Sequence, residues 1–158
     1  MKKIILLIAL TVLSINTLRM VTAQQRPTLT PEQRARVQIH PVQGKAGLYV
    51  IPGFDGGLSG GNVAVRVTGN GVILVDNKFS YSSSDIIRQV ASVTSEPISY
   101  VLNTHHHSDH AGSNADFMPA AQVIGHENVR SLMISNDLAG APPIVFSRRT
   151  SVFVGDVE

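Results

Sequence analysis

The chain has no cysteine. That excludes a disulfide framework, a thiolate nucleophile and a cysteine-based zinc site. The apolar run at residues 4–15 is too short for a membrane span, which needs about 20 residues. Positive charge is scarce once the amino terminus is set aside. The 13 lysines and arginines include Lys2, Lys3 and Arg19, and without those three the formal balance against 11 acidic residues is −1. No basic stripe is left to suggest nucleic acid. Internal repeats and low-complexity tracts are absent as well. A protein so composed holds itself together by packing or by metal.

What is present begins with a leader. Met1-Lys2-Lys3 is a short basic start, residues 4–15 are apolar, and Val21-Thr22-Ala23 offers small residues for cleavage. This reads as a secretory signal peptide over residues 1–23, cut after Ala23. The mature protein is then expected to be periplasmic or secreted, with no stable membrane anchor. An uncleaved anchor is the alternative. Residues 24–36 form an amino-terminal leader, and residues 37–158 a single domain, 43% of the chain being hydrophobic.

Within that leader, Thr30-Pro31-Glu32-Gln33 predicts a short helix with Thr30 as N-cap, Pro31 at the first position and Gln33 closing a capping box. Residues 37–42 and 48–51 predict a hairpin. The glycine-rich stretch at residues 52–61 precedes a strand (residues 62–67), whereas a phosphate cradle must open a helix, so it reads as a mobile hairpin loop. Phe54 and Leu58 at its tip are candidates for covering a substrate. The continuous apolar run Val72-Ile73-Leu74-Val75 predicts a strand covered on both faces. Ser82 to Asp85 predicts a second capping box, with Ile86, Ile87, Val90 and Val93 on one helical stripe. A strand over residues 98–103 follows, so the order is that of an α/β layer. Beyond it lie a short helix to Met118, a strand at residues 122–124, a helix over 127–134, and strands at 144–146 and 151–154.

Chemistry concentrates in Thr104-His105-His106-His107-Ser108-Asp109-His110-Ala111-Gly112, which holds four of the six histidines. If the chain stays extended over residues 103–109, His105, His107 and Asp109 point to one side. A turn toward Gly112 then brings His110 to the same pocket. Three imidazoles and a carboxylate suit Zn²⁺. A helical reading would instead pair His106 with His110, but His107 stands where a helical zinc protease has its glutamate. Ser108 has no nucleophile-elbow context. His126, a lone histidine before a helix, reads as structural. Asp76, at a strand end, reads as a turn residue on position alone.

The pattern His105-x-His107-x-Asp109-His110 after a buried strand, with Gly71-Val72-Ile73-Leu74-Val75-Asp76, Asn103-Thr104 and Gly125-His126-Glu127-Asn128, resembles the amino-terminal half of a metallo-β-lactamase-fold hydrolase. The resemblance covers residues 37–158 and implies an αββα sandwich, of which this chain holds roughly the first half. It implies one or two Zn²⁺, with His105 and His107 on the first and Asp109 and His110 on the second. Asp76 would then hold the histidine loop from behind. The implied reaction is attack of a metal-activated hydroxide on the amide, ester, thioester or lactone carbonyl of a small, β-lactam-like substrate, with Asp109 orienting the nucleophile or taking its proton.

The family's later ligands, a third histidine, a bridging aspartate and a final histidine, have no counterpart here. Gly155-Asp156 comes too early to be one of them. The sequence is therefore expected to be carboxy-terminally truncated, with exposed apolar strand faces and unpaired edges. The alternative reading is a catalytically incompetent fragment that binds metal or a partner.

Overall fold

A computed structural model of the chain describes residues 29–54, 58–155 and 157. The expected signal peptide and cleavage site, and Asp156, lie outside the described residues. Seven strands form one sheet in sequential order. They are β1 (His40–Pro41), β2 (Leu48–Ile51), β3 (Val63–Thr68), β4 (Gly71–Val75), β5 (Ile98–Asn103), β6 (Gln122–His126) and β7 (Ile144–Phe146). β1 to β4 pair antiparallel in turn, and β4 to β7 pair parallel. Parallel neighbours need crossovers. These are α2 (Ser83–Ala91), the pair α3 (Ser108–Ala111) and α4 (Asn114–Phe117), and α5 (Glu127–Ser135). Among the described residues no helix is long and apolar enough to cross a membrane.

The alternation in β3 buries Val63 and Val65, and the apolar run of β4 is buried through Leu74. Val63, Val65, Val72 and Leu74, together with Val101 and Val123, pack beneath Ile86 and Val90 of α2 and Phe117 of α4. Each such side chain contributes about 1.5–3 kcal/mol, and this layer fixes the carboxy-terminal ends of β4 and β5 side by side. At those ends the chain carries its polar chemistry, the usual location in a parallel sheet.

Several local expectations are met. Helix α1 (Pro31–Ala35) starts with both halves of the Thr30–Gln33 capping box. Other expectations are corrected. The first strand is only two residues long, because the Ile39 amide donates to Gln89 Oε1 on α2 instead of to a strand (2.9 Å). The second capping box does not form. A 3-10 turn at Ser80–Ser82 holds Ser82 in helical geometry (φ −101°, ψ −9°), whereas a cap needs extended backbone. Ser82 Oγ is buried without a partner, and Asp85 pairs with Arg34 and Arg88. Ile87 is exposed rather than on the buried stripe. Residues 151–154 make no strand, only a Val154–Val157 bridge across Gly155 at φ +62°. Nor is the open sheet face bare. Ile73 and Ile124 are buried and share a cleft of about 410 Å³ with Thr150, Ser151 and Val152.

Candidate metal centre

The chain leaves β5 at Asn103 and does not stay extended to residue 109. It turns at His107, whose φ −63° and ψ 144° cap α3, and Asp109 and His110 sit in that helical turn. The amides of His110 and Ala111 both donate to the His107 carbonyl (3.0 and 2.9 Å). A tight turn thus does what extended alternation was expected to do. The ligand atoms of His105, His107 and Asp109 lie within 4.8 Å of one another. His110 joins them, its Nε2 3.4 Å from Asp109 Oδ2, its ring 4.1 Å from that of His105. The His106 ring lies tilted against that of His107 (centroids 4.6 Å apart) and belongs to neither group of converging donors.

Asp76 organises this turn. It ends β4 in left-handed backbone (φ 63°), which aims a buried carboxylate at the histidines. Its Oδ1 accepts the Thr104 amide (2.8 Å). Its Oδ2 accepts the Thr104 hydroxyl (2.7 Å) and pairs with His110 Nδ1 (2.7 Å). Thr104 Oγ1 in turn meets His105 Nδ1 at 3.0 Å. Because the hydroxyl proton goes to Asp76, the partners assign the Nδ1 proton to both His105 and His110. Each ring then presents an unprotonated Nε2 on its other side, the arrangement that orients metal-binding imidazoles. Burial, followed by the neighbouring His110, lowers the His105 pKa, which keeps its lone pair free at neutral pH.

Asp76, His105 and His110 also fall within ligand distance of one another. The Asp76 oxygens are already engaged by three donors, so the carboxylate acts as a support. The other donors fit a divalent cation. Two atoms each about 2.1 Å from one tetrahedral ion lie about 3.4 Å apart, the Asp109 Oδ2 to His110 Nε2 distance observed. Imidazole nitrogen and carboxylate oxygen are the donor types such ions take.

Sequence reasoning missed the supports. Asn114 Oδ1 accepts from Asn77 Nδ2 (2.6 Å) and Asn103 Nδ2 (3.0 Å), and its Nδ2 donates to Asn103 Oδ1 (2.7 Å) and the Gly140 carbonyl (2.8 Å). All three asparagines are buried. The Asn77 amide donates to the His110 carbonyl (2.7 Å). Lys78 is wholly buried, and burial draws its ammonium down to about 8. The signal available was the polar triplet Asp76-Asn77-Lys78 following a buried strand without a break.

The remaining predicted residues fall elsewhere. Phe54 packs against the core, with the Arg36 guanidinium 4.5 Å above its ring. Ser59 Oγ closes the loop by accepting the Phe54 amide (2.6 Å) and donating to the Phe54 carbonyl (3.0 Å). Phe54 is therefore turned inward, and only Leu58 is exposed. His126 caps α5, its Nδ1 accepting the Asn128 amide (3.1 Å) and its Nε2 facing the Ser147 carbonyl (2.6 Å). Both nitrogens are engaged in structural bonds.

Known proteins can be set beside this geometry. A metallo-beta-lactamase from Pontibacter korlensis superposes with a TM-score of 0.65 at 17% identity, covering 75% of this chain and 57% of its own. The metallo-beta-lactamase of Hirschia baltica gives 0.59 at 18%, covering 73% and 54%. FIM-1 from Pseudomonas aeruginosa, in its mono-zinc form, gives 0.59 at 19%, covering 76% and 56%. The chain thus spans little more than half the length of these solved structures, and at such identities the likeness is one of fold. No curated protein matches it. The profile of the metallo-beta-lactamase superfamily matches residues 56–157, a stretch that runs from the glycine loop through Asp76 and the histidine turn, and by that match the chain belongs to this superfamily.

Proposed function

We propose that the chain carries the metal-binding half of an exported zinc-dependent hydrolase that opens an amide, ester, thioester or lactone carbonyl in a small molecule. The observation that carries the reading is the convergence of His105, His107, Asp109 and His110, with two of the imidazoles held from behind by Thr104 and Asp76. His105 and His107 would hold a first ion, and Asp109 with His110 a second. When bound, zinc supplies Lewis acidity toward a carbonyl and lowers the pKa of water to about 7. Asp76 and Thr104 engage Nδ1 of the two rings, which leaves Nε2 as the nitrogen turned toward an ion. Asp109, whose side chain is about one-third exposed, is placed to orient a water or take its proton at a carboxylate oxygen.

The imidazole set supports zinc over magnesium or calcium, which prefer oxygen. The mono-zinc form of FIM-1 supports the same ion by analogy of fold. The experiment is zinc analysis of the purified full chain after loading and desalting, with hydrolysis of a chromogenic lactam and of a lactone followed alongside. At least one zinc per chain is expected. His105→Ala with His107→Ala should cut zinc retention by more than tenfold and abolish any turnover. Absence of zinc from the wild type, or unchanged hydrolysis in the double variant, defeats the proposal.

One observation favours a second reading. His126 is the one histidine after His110, and its nitrogens are committed to α5 and Ser147. A catalytic zinc ordinarily takes three protein ligands. The second reading is therefore a chain that binds metal without turnover, and zinc retention with no hydrolysis in the same experiment would select it.

A further inference from the structure

Lys78 is the largest wholly buried side chain among the described residues, and it lies against the candidate centre without contributing a ligand. Its Nζ donates to two carbonyls, Pro52 (3.0 Å) and Gly61 (2.6 Å). These are the two stems of the glycine loop, nine positions apart in the chain and brought together by one ammonium. Gly61 relays the contact. Its own amide donates to the Asp109 carbonyl (2.8 Å), and a β-carbon placed on it would stand 2.6 Å from His110 Nε2. Gly60, at φ +78°, is pressed between the Asp109 carbonyl and Lys78 Cβ, where an added β-carbon would stand 2.9 Å from each. Lys78 itself takes left-handed backbone (φ 60°), and its carbonyl accepts the Ser113 amide (3.2 Å), just beyond α3.

We propose that Lys78 is a positioning residue for the metal-ligand turn: by fastening both stems of the 52–61 loop it seats Gly61 against Asp109 and His110 and fixes where those two side chains converge. The proposal rests on the metal-site reading for its consequence, but the fastening itself is testable without metal. A long amine is suited to the task because one ammonium carries donors enough for both carbonyls. Removing it takes the shared donor from two half-buried stems, so each carbonyl must find another partner and the link between the stems is lost. Gly61 would move with them, and with it one wall of the His110 ring.

The test compares the wild-type full chain with Lys78→Met, which keeps the bulk and removes the donors. Lys78→Gln, one bond shorter with two N–H donors, reaches one carbonyl. Amide hydrogen exchange in the metal-free proteins reads the fastening. Titration with Zn²⁺ against a chromophoric chelator reads its consequence. In Lys78→Met the Gly61 amide should lose protection by at least tenfold while the Val72, Leu74 and Val101 amides keep theirs, and zinc affinity should fall about tenfold. Lys78→Gln should show a smaller, equally local loss. Should Lys78→Met fail to fold, Lys78→Gln decides alone. Wild-type protection at Gly61, a loss spread evenly over the sheet, or a local loss with unchanged zinc affinity overturns the proposal. A wild-type chain that takes up no zinc defeats the metal-site reading, and the Gly61 exchange still judges the fastening.

Discussion

A lysine whose side chain is wholly buried makes stability depend on pH in a direction opposite to most basic groups. Folding lowers the Lys78 pKa from 10.5 to about 8, through burial. Between those values the unfolded chain binds more protons than the folded one, so stability rises with pH across the window. Below pH 8 both states carry the charge, and the cost of burying it is fully present. At about 1.4 kcal/mol per pKa unit the window is worth about 3 kcal/mol. Urea midpoints from pH 7.5 to 10 should climb in the wild type relative to Lys78→Gln, which has nothing to titrate there. A flat difference would mean that the ammonium is better solvated than its burial indicates. The neutral amine still carries two N–H donors, so the bonds to Pro52 and Gly61 survive the titration. At the same scale, sequence reasoning found all four residues that converge, because imidazoles and a carboxylate so closely spaced have few other uses. It could not find Thr104 or Lys78. A threonine after a strand and a lysine in a polar triplet are common, and only three-dimensional contact shows what they touch.

Helices α1 and α2 are joined through one carboxylate. Asp85 is fully buried in the first turn of α2 and accepts Arg34 Nη1 from α1 at 2.7 Å, with Arg88 on its second oxygen. Asp85→Asn keeps the shape but removes the charge that two guanidinium groups share. Breaking a buried pair costs about 3–5 kcal/mol, but Arg34 is 34% and Arg88 58% exposed, and water compensates part of that. A loss of about 1–3 kcal/mol is expected by urea denaturation. Proteolysis should cut first near Arg34 and Arg36, because α1 buries no residue of its own. Unchanged stability would show that the arginines are as well served by solvent. Elements with continuous apolar runs or strict alternation, β3, β4 and β5, were legible in the sequence because burial on a fixed period leaves no other solution. The Ser82–Asp85 capping box was misread because the same residue pattern serves a salt bridge when a 3-10 turn precedes it. The 151–154 segment was misread because β-branched residues pair only where a neighbouring edge is offered.

For the whole molecule the question is how a single sheet layer tolerates two faces. One face is closed by α2 and α4 over Val63, Val65, Val101 and Val123. On the other, Ile73 and Ile124 keep 6% and 7% of their surface, and Thr150 to Val152 share their cleft. The expectation of bare strand faces fails there, but it holds at the β7 end. Ile144, Val145 and Phe153 are 41%, 44% and 67% exposed, and among the described residues β7 pairs on the β6 side alone. An apolar strand with unpaired amides invites pairing with a like strand. A chain of these 158 residues is therefore expected to self-associate as concentration rises. Val145→Lys should suppress that association, because a charge on the edge strand blocks the flat approach a second strand needs. Sedimentation velocity from about 5 to 200 μM, with zinc removed by chelation so that metal bridging does not contribute, makes the comparison. Wild-type and Val145→Lys chains that sediment identically would place the associating surface elsewhere, and a monomer at every concentration would show that residues 150–154 already protect the layer.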